Sequence, residues 1–126
     1  VSNWMLGAAV AVGAVFGALL RWGAGLLLNA VWAGFPLGTL AVNAIGGLLA
    51  GMAFVAFARY PNEPLRLLLV TGFLGGLTTF STFSAESLSL LEKGRFDLAA
   101  FHTTAHVLGA LACAAVGARA MRWFLA

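Results

Sequence analysis

The chain has 126 residues, of which 62% are hydrophobic and only 9% charged, and its mean hydropathy is +0.99. Soluble domains carry about 25% charged residues, so a water-facing surface is excluded and the chain is expected to be an integral membrane protein. The formal net charge of +3 comes from scattered basic side chains rather than a cluster, which argues against nucleic acid as a partner.

A membrane helix takes about 20 mostly apolar residues to cross roughly 30 Å of hydrocarbon. Windows of that kind lie at approximately 4–28, 37–58, 67–91 and 98–118. They predict an all-α membrane protein, a single four-helix transmembrane domain over residues 1–126. No basic region precedes the first apolar run, so no cleaved signal peptide is expected.

The first window is uncharged except for Arg21, which Trp22 follows. A guanidinium in a span must be paired or reach water. It reads either as an Arg snorkelling beside an interfacial Trp or as a cation at a vestibule that attracts anions. The second window carries one strong polar group, Asn43, whose amide offers two donors and an acceptor. That suits an interhelical hydrogen bond or an N–H aimed at an anion, and spacing leaves both open. Asn43, Gly47 and Gly51 recur every four residues and share one helix face. The pairs Gly13 and Gly17, Gly47 and Gly51, and Gly72 and Gly76 are small-xxx-small patterns that let helix backbones approach closely.

The third window contains GFLGGLTTFSTFS from Gly72 to Ser84, which mixes glycines with five hydroxyl side chains and three phenylalanines. A helix facing lipid has no use for that mixture, and irregular backbone at membrane depth survives only where it is buried in protein or lines a cavity. A break in the helix is expected at Gly75 to Thr79, near the middle of the span. Carbonyls released there suit a hard cation such as Na⁺; the bland reading is a glycine kink. Phe80 and Phe83, three apart, fall on one side of the helix that resumes. Aromatic rings have positive edges, and these two alternate with the hydroxyl donors of Thr79, Ser81, Thr82 and Ser84, so the segment competes as an anion pathway with plain core packing. Glu86 is an ionisable group inside a span, a candidate proton relay, cation partner or pore-mouth residue.

In the fourth window His102 and His106 have the i, i+4 spacing of a metal pair, but HTTAH lacks the glutamate of the metalloprotease motif. Interface or helix contacts are expected of them. Cys113 is alone in an apolar run and is expected to pack. The links at 29–36, 59–66 and 92–97 are short, which makes sequential helices antiparallel. Arg59, Arg66, Arg119 and Arg122 fall on the side of the termini, against Arg21, Lys93 and Arg95 on the other. So small an imbalance of basic residues barely fixes orientation. Two copies inserted opposite ways up would form an antiparallel, dual-topology homodimer within membrane lipid.

Three segments, GAVFGALLRW at Gly13 to Trp22, GTLAVNAIGG at Gly38 to Gly47 and GFLGGLTTFSTFSAE at Gly72 to Glu86, resemble the fluoride channel family (Fluc, also called CrcB) in the expected order over nearly the whole chain. The resemblance implies an antiparallel homodimer in the cell inner membrane, exporting cytoplasmic fluoride passively and holding a structural Na⁺ on its two-fold axis. It implies Phe80 and Phe83 as the paired pore phenylalanines, Asn43 as the pore-lining amide and Arg21 at the vestibule. Thr79, Ser81, Thr82 and Glu86 fall in the same polar pathway, and the backbone carbonyls of Gly75 and Thr78 would hold Na⁺. One departure is apparent: a hydroxyl track on the fourth helix, carried by some members, aligns here with Ala110 and Ala114. The alternative is a proton-coupled fluoride or small-ion transporter of the dual-topology type. An intramembrane hydrolase built on Ser84 or Ser87 with His106 lacks a nucleophile motif, and no nucleotide-binding loop supports a pump. The chain is not expected to be an enzyme.

Overall fold

The computed structural model describes all 126 residues, and every element is helical. Helix α1 is Asn3–Leu28 and α2 is Leu37–Arg59. Helix α3 covers residues 63–77 in three hydrogen-bonding registers: an α turn at Glu63–Arg66, a π-helical stretch at Leu67–Leu74 and a last α turn at Gly75–Leu77. After a two-residue gap, α4 is Phe80–Glu92, and α5 is Phe96–Leu125. The four stretches long and apolar enough to cross a membrane are Asn3–Leu28, Leu37–Arg59, Glu63–Glu92 and Phe96–Leu125.

The expected windows are recovered, but the last helix runs seven residues past the apolar limit at 118, through Arg119 and Arg122. Hydropathy marks where the hydrocarbon ends; long basic side chains continue a helix comfortably in the interfacial region. Only 17 of 126 residues are buried, while Phe16, Leu27, Phe54, Leu111 and Phe124 are exposed. Apolar side chains on every outer face are tolerable only in contact with lipid or another protein surface. The chain is a multi-pass membrane protein.

The helix ends follow local chemistry. Asn62 caps α3, its side chain accepting from Leu65 N–H at 3.1 Å. Gly94, with φ of 73°, ends α4 in a left-handed turn. There Arg95 N–H donates to Leu90 carbonyl at 2.9 Å and Gly94 N–H to Leu91 at 3.0 Å, the reciprocal closure of a Schellman motif.

Packing is set by glycines. A Cβ on Gly72 or on Gly76 would stand 2.5 Å from the carbonyl oxygen of Val10 or Ala14 respectively, so these two let α3 lie directly on the α1 backbone. Gly47 and Gly51 do the same for α2 against the backbone of Ala110 and Ala114 on α5. In both pairs the contacts advance together along the two chains, so α1 runs parallel to α3 and α2 parallel to α5. The small-xxx-small pairs are therefore the seams of the bundle. Gly76 serves this contact and keeps helical backbone, which narrows the interruption to the last two residues of the expected Gly75 to Thr79, at Thr78 and Thr79.

Candidate functional site

The interruption is built from side chains outward. Thr78 leaves the helix with φ of −90° and ψ of 158°, and Thr79 continues extended at −151° and 122°. Thr78 Oγ1 donates to Leu74 carbonyl at 2.8 Å, beside the bond that Thr78 N–H makes to the same oxygen at 2.9 Å. Thr79 then caps the next helix, its hydroxyl accepting from Thr82 N–H at 3.1 Å.

Two extended residues at membrane depth expose backbone groups that need partners. Asn43, from α2, supplies them. Its Oδ1 accepts from Thr79 N–H at 2.8 Å, and its Nδ2 donates to Thr79 carbonyl at 3.0 Å. The pair copies one rung of a β-ladder and fixes the orientation of the amide, because a flip would set oxygen against oxygen. The remaining Nδ2 hydrogen points at His106 Nδ1, 2.9 Å away. That nitrogen must accept, so His106 carries its proton on Nε2, which is buried without a partner. Of the two open readings of Asn43, the structure realises the interhelical hydrogen bond, and an anion would have to displace His106 to receive that N–H.

Rerouting Thr79 N–H and Thr82 N–H to side chains frees the carbonyls they would otherwise meet one turn back. Neither Gly75 nor Thr78 carbonyl receives a hydrogen bond from backbone or side chain, and both residues line one open groove of about 510 Å³ with Asn43, Thr79, Phe80 and Phe83. Gly76 carbonyl is claimed by Arg21, whose Nε donates to it at 2.9 Å. Arg21 is thus tied to the interruption, and it lines a second cleft of about 350 Å³ with Thr39, Thr79 and Thr82. Trp22, next to it in sequence, is 65% exposed.

The phenylalanines divide. Phe83 is 7% exposed and packs on both imidazoles, 4.7 Å from the His106 ring and 5.6 Å from that of His102. Phe80 is 77% exposed beside the groove, and the two rings meet edge to face at 5.4 Å and 65°. Ser81 lines neither cavity; its hydroxyl lies 3.3 Å from that of Thr79. Ala110 lines the groove at the α2 seam, whereas Ala114 packs on Gly51.

Glu86 joins the cleft through Thr39 and is the centre of a hydrogen-bonded cluster. Thr39 Oγ1 donates to its Oε2 at 2.6 Å, and His102 Nε2 lies 3.1 Å from its Oε1. His102 Nδ1 is 2.7 Å from Ser87 Oγ, which lies 3.1 Å from Thr103 Oγ1. Both histidines make the helix contacts expected of them, but Thr39 and the particular partners of the imidazoles are not legible in the sequence. The signal is two i, i+4 pairs, Thr39 with Asn43 and His102 with His106, on helices whose contact only packing fixes. Ser84 donates to Phe80 carbonyl at 2.9 Å, and Ser87 meets His102 rather than His106, so the pairing weighed for a hydrolase does not form.

A four-span bundle whose third span is interrupted at mid-membrane, with hydroxyls, an amide, a guanidinium and a carboxylate gathered around the gap, defines a polar-centred multi-pass membrane protein. The chain belongs to the family described as CrcB-like protein, Camphor Resistance (CrcB), whose model matches residues 8–118. Among similar proteins, the fluoride-specific ion channel FluC of Pseudomonas aeruginosa is 48% identical over 124 residues, covering 97% of this chain and 98% of that one. The protein of the same name from Aromatoleum aromaticum is 51% identical over 111 residues, 86% of this chain and 85% of its own. That from Nitrosomonas europaea is 47% identical over 118 residues, covering 92% and 93%.

Proposed function

We propose that this chain is a fluoride-selective channel of the inner membrane, working as an antiparallel, dual-topology homodimer and exporting cytoplasmic fluoride down its electrochemical gradient. The observation that carries the reading is the interruption at Thr78 and Thr79, clamped by Asn43 and flanked by free carbonyls on one side and by aromatic edges and hydroxyls on the other. The names of the relatives support fluoride as the ion.

Fluoride holds its hydration shell tightly, and a selective pore must replace that water with closely spaced donors without binding too well to release the ion. Arg21, in the cleft with Thr39 and Thr82, draws the anion inward. The hydroxyls of Thr79, Ser81 and Thr82 take over hydrogen bonds from water. Phe80 and Phe83 present ring edges, which favour an anion without a fixed charge. Asn43 contributes by exchanging its bond to His106 for one to the ion, and Glu86 with Thr39 flanks the same route.

The groove beside the interruption is lined by Gly46, Gly47, Gly75 and Thr78 with the exposed ring of Phe80 at its edge, a surface suited to a second copy. Two copies would bring the carbonyls of Gly75 and Thr78 together as four oxygens. That donor set fits Na⁺, a hard cation that would supply a fixed positive charge at the dimer axis. Efflux measured with a fluoride electrode on liposomes holding the purified protein tests the function, with chloride as control; absence of fluoride efflux refutes it.

A second reading, proton-coupled fluoride transport, is favoured by one observation, the hydrogen-bonded series Ser87–His102–Glu86–Thr39. Fluoride flux that moves protons in strict one-to-one ratio under an imposed pH gradient selects the transporter over the channel.

A further inference from the structure

His102 is 0% exposed, the most deeply enclosed polar side chain in the molecule. We infer that His102 is the positioning residue for Glu86, an imidazole that holds the carboxylate against Thr39 while Ser87 holds the imidazole. This rests on the reading of Glu86 as part of the fluoride pathway.

The proton order follows from the partners. With Glu86 ionised, Oε2 accepts from the Thr39 hydroxyl at 2.6 Å and Oε1 accepts from His102 Nε2–H at 3.1 Å. In an imidazole that carries one proton, Nδ1 is then the acceptor, and the Ser87 hydroxyl donates to it at 2.7 Å. Ser87 oxygen is left to accept from Thr103, 3.1 Å away. Every atom in the series has a partner under this assignment. The ring plane is fixed separately: Phe83 stacks on it at 15°, and Phe35, 1% exposed, meets it edge-on at 73°. A glutamate side chain has three rotatable bonds and needs such a two-point hold to keep one direction. Thr39 and His102 provide it from α2 and α5.

The same neighbourhood invites a different assignment, since Glu86, His102 and His106 each place a ligating atom within 4.8 Å of the others. A transition metal would need an unprotonated nitrogen from both histidines. His106 spends its lone pair on the Asn43 N–H, so its remaining nitrogen bears the proton. The cluster is a hydrogen-bond network built to orient a carboxylate.

Two near-isosteric replacements separate the roles of the two ring nitrogens. His102→Gln places an amide N–H near the Nε2 position and keeps the donor to Glu86. His102→Asn reaches only the Nδ1 position, keeping a partner for Ser87 and losing the donor to Glu86. The readouts are fluoride efflux from liposomes and the carboxylate stretching band of Glu86, isolated by infrared difference against the same protein carrying Glu86→Gln. Gln is expected to leave the band in place and efflux within a few-fold, about the scale of a neutral repacking. Asn and His102→Leu are expected to shift the band and slow efflux by about ten- to a hundredfold, the worth of one hydrogen bond to a charged group.

Ser87→Ala leaves the buried ring untouched and removes only the hold on its tautomer, so it also shifts the band. Efflux that follows side-chain volume, with Asn at least as active as Gln, overturns the inference, as does an unchanged Glu86 band in both Asn and Ser87→Ala. If the unsubstituted protein carries no fluoride, the channel reading fails, while the infrared comparison still decides whether His102 holds Glu86.

Discussion

Asn43→Ala tests the interruption where it is most exposed to failure. The substitution removes three hydrogen bonds, at 2.8 and 3.0 Å to Thr79 backbone and 2.9 Å to His106. It strands the Thr79 N–H and carbonyl, and each orphaned buried group costs about 1–3 kcal/mol. The groove beside Thr79 admits water, which lowers the penalty, so the expected loss is about 2–4 kcal/mol for the pair. Relaxation of the clamp also moves the first turn of α4, and with it Phe80 and Phe83. Fluoride efflux is expected to fall at least tenfold, to be measured beside denaturation of the purified protein in detergent. Asn43→Asp is the control for size: it can still accept from Thr79 N–H but turns its second oxygen on the Thr79 carbonyl, and it is expected to do no better than Ala. An Ala variant within about 0.5 kcal/mol of the parent, the ordinary range for a neutral surface change, or an Asp variant with parental efflux, refutes the clamp.

Phe80→Ile keeps an apolar side chain and removes the positive ring edge; slowing of efflux by about tenfold or more with the dimer still intact is expected, and parental efflux counts against the aromatic pathway. Prolonged exchange into Na⁺-free medium is expected to lower both thermal stability and efflux, with recovery on adding Na⁺, because the carbonyls of Gly75 and Thr78 have no other partners. Indifference to Na⁺ in both assays removes the proposed cation. A single cysteine at exposed Pro61, in a Cys113→Ala background, leaves the Asn62 cap intact and is expected to be labelled in part from each side of the membrane. Labelling from one side alone rules out dual topology.

The relation between the opposing readings of Arg21 shows where one-dimensional reasoning stops. Spacing put it inside the first span beside a Trp, which suited an interfacial anchor as well as a pathway residue. Its bond to Gly76 carbonyl ties it to the interruption, because α1 and α3 run parallel and close enough for the side chain to reach. The histidines make the same point. Their i, i+4 spacing was visible, but their partners Asn43, Glu86 and Ser87 lie 15 to 63 residues away.

The sequence by itself determined the solvent, the four spans, the small-residue pairs and the presence of an interruption in the third. These are properties of composition and short period: about 20 apolar residues cross a bilayer wherever they occur, and glycines four apart always share a helix face. Only the tertiary structure decided that the interruption falls at Thr78 and Thr79 and is held by Asn43. It also decided that Gly76 is a packing contact and that Glu86 is gripped between Thr39 and His102. Unpaired backbone and buried carboxylates take whatever partners packing brings within about 3 Å, and a helix pattern does not say which helix its face will meet.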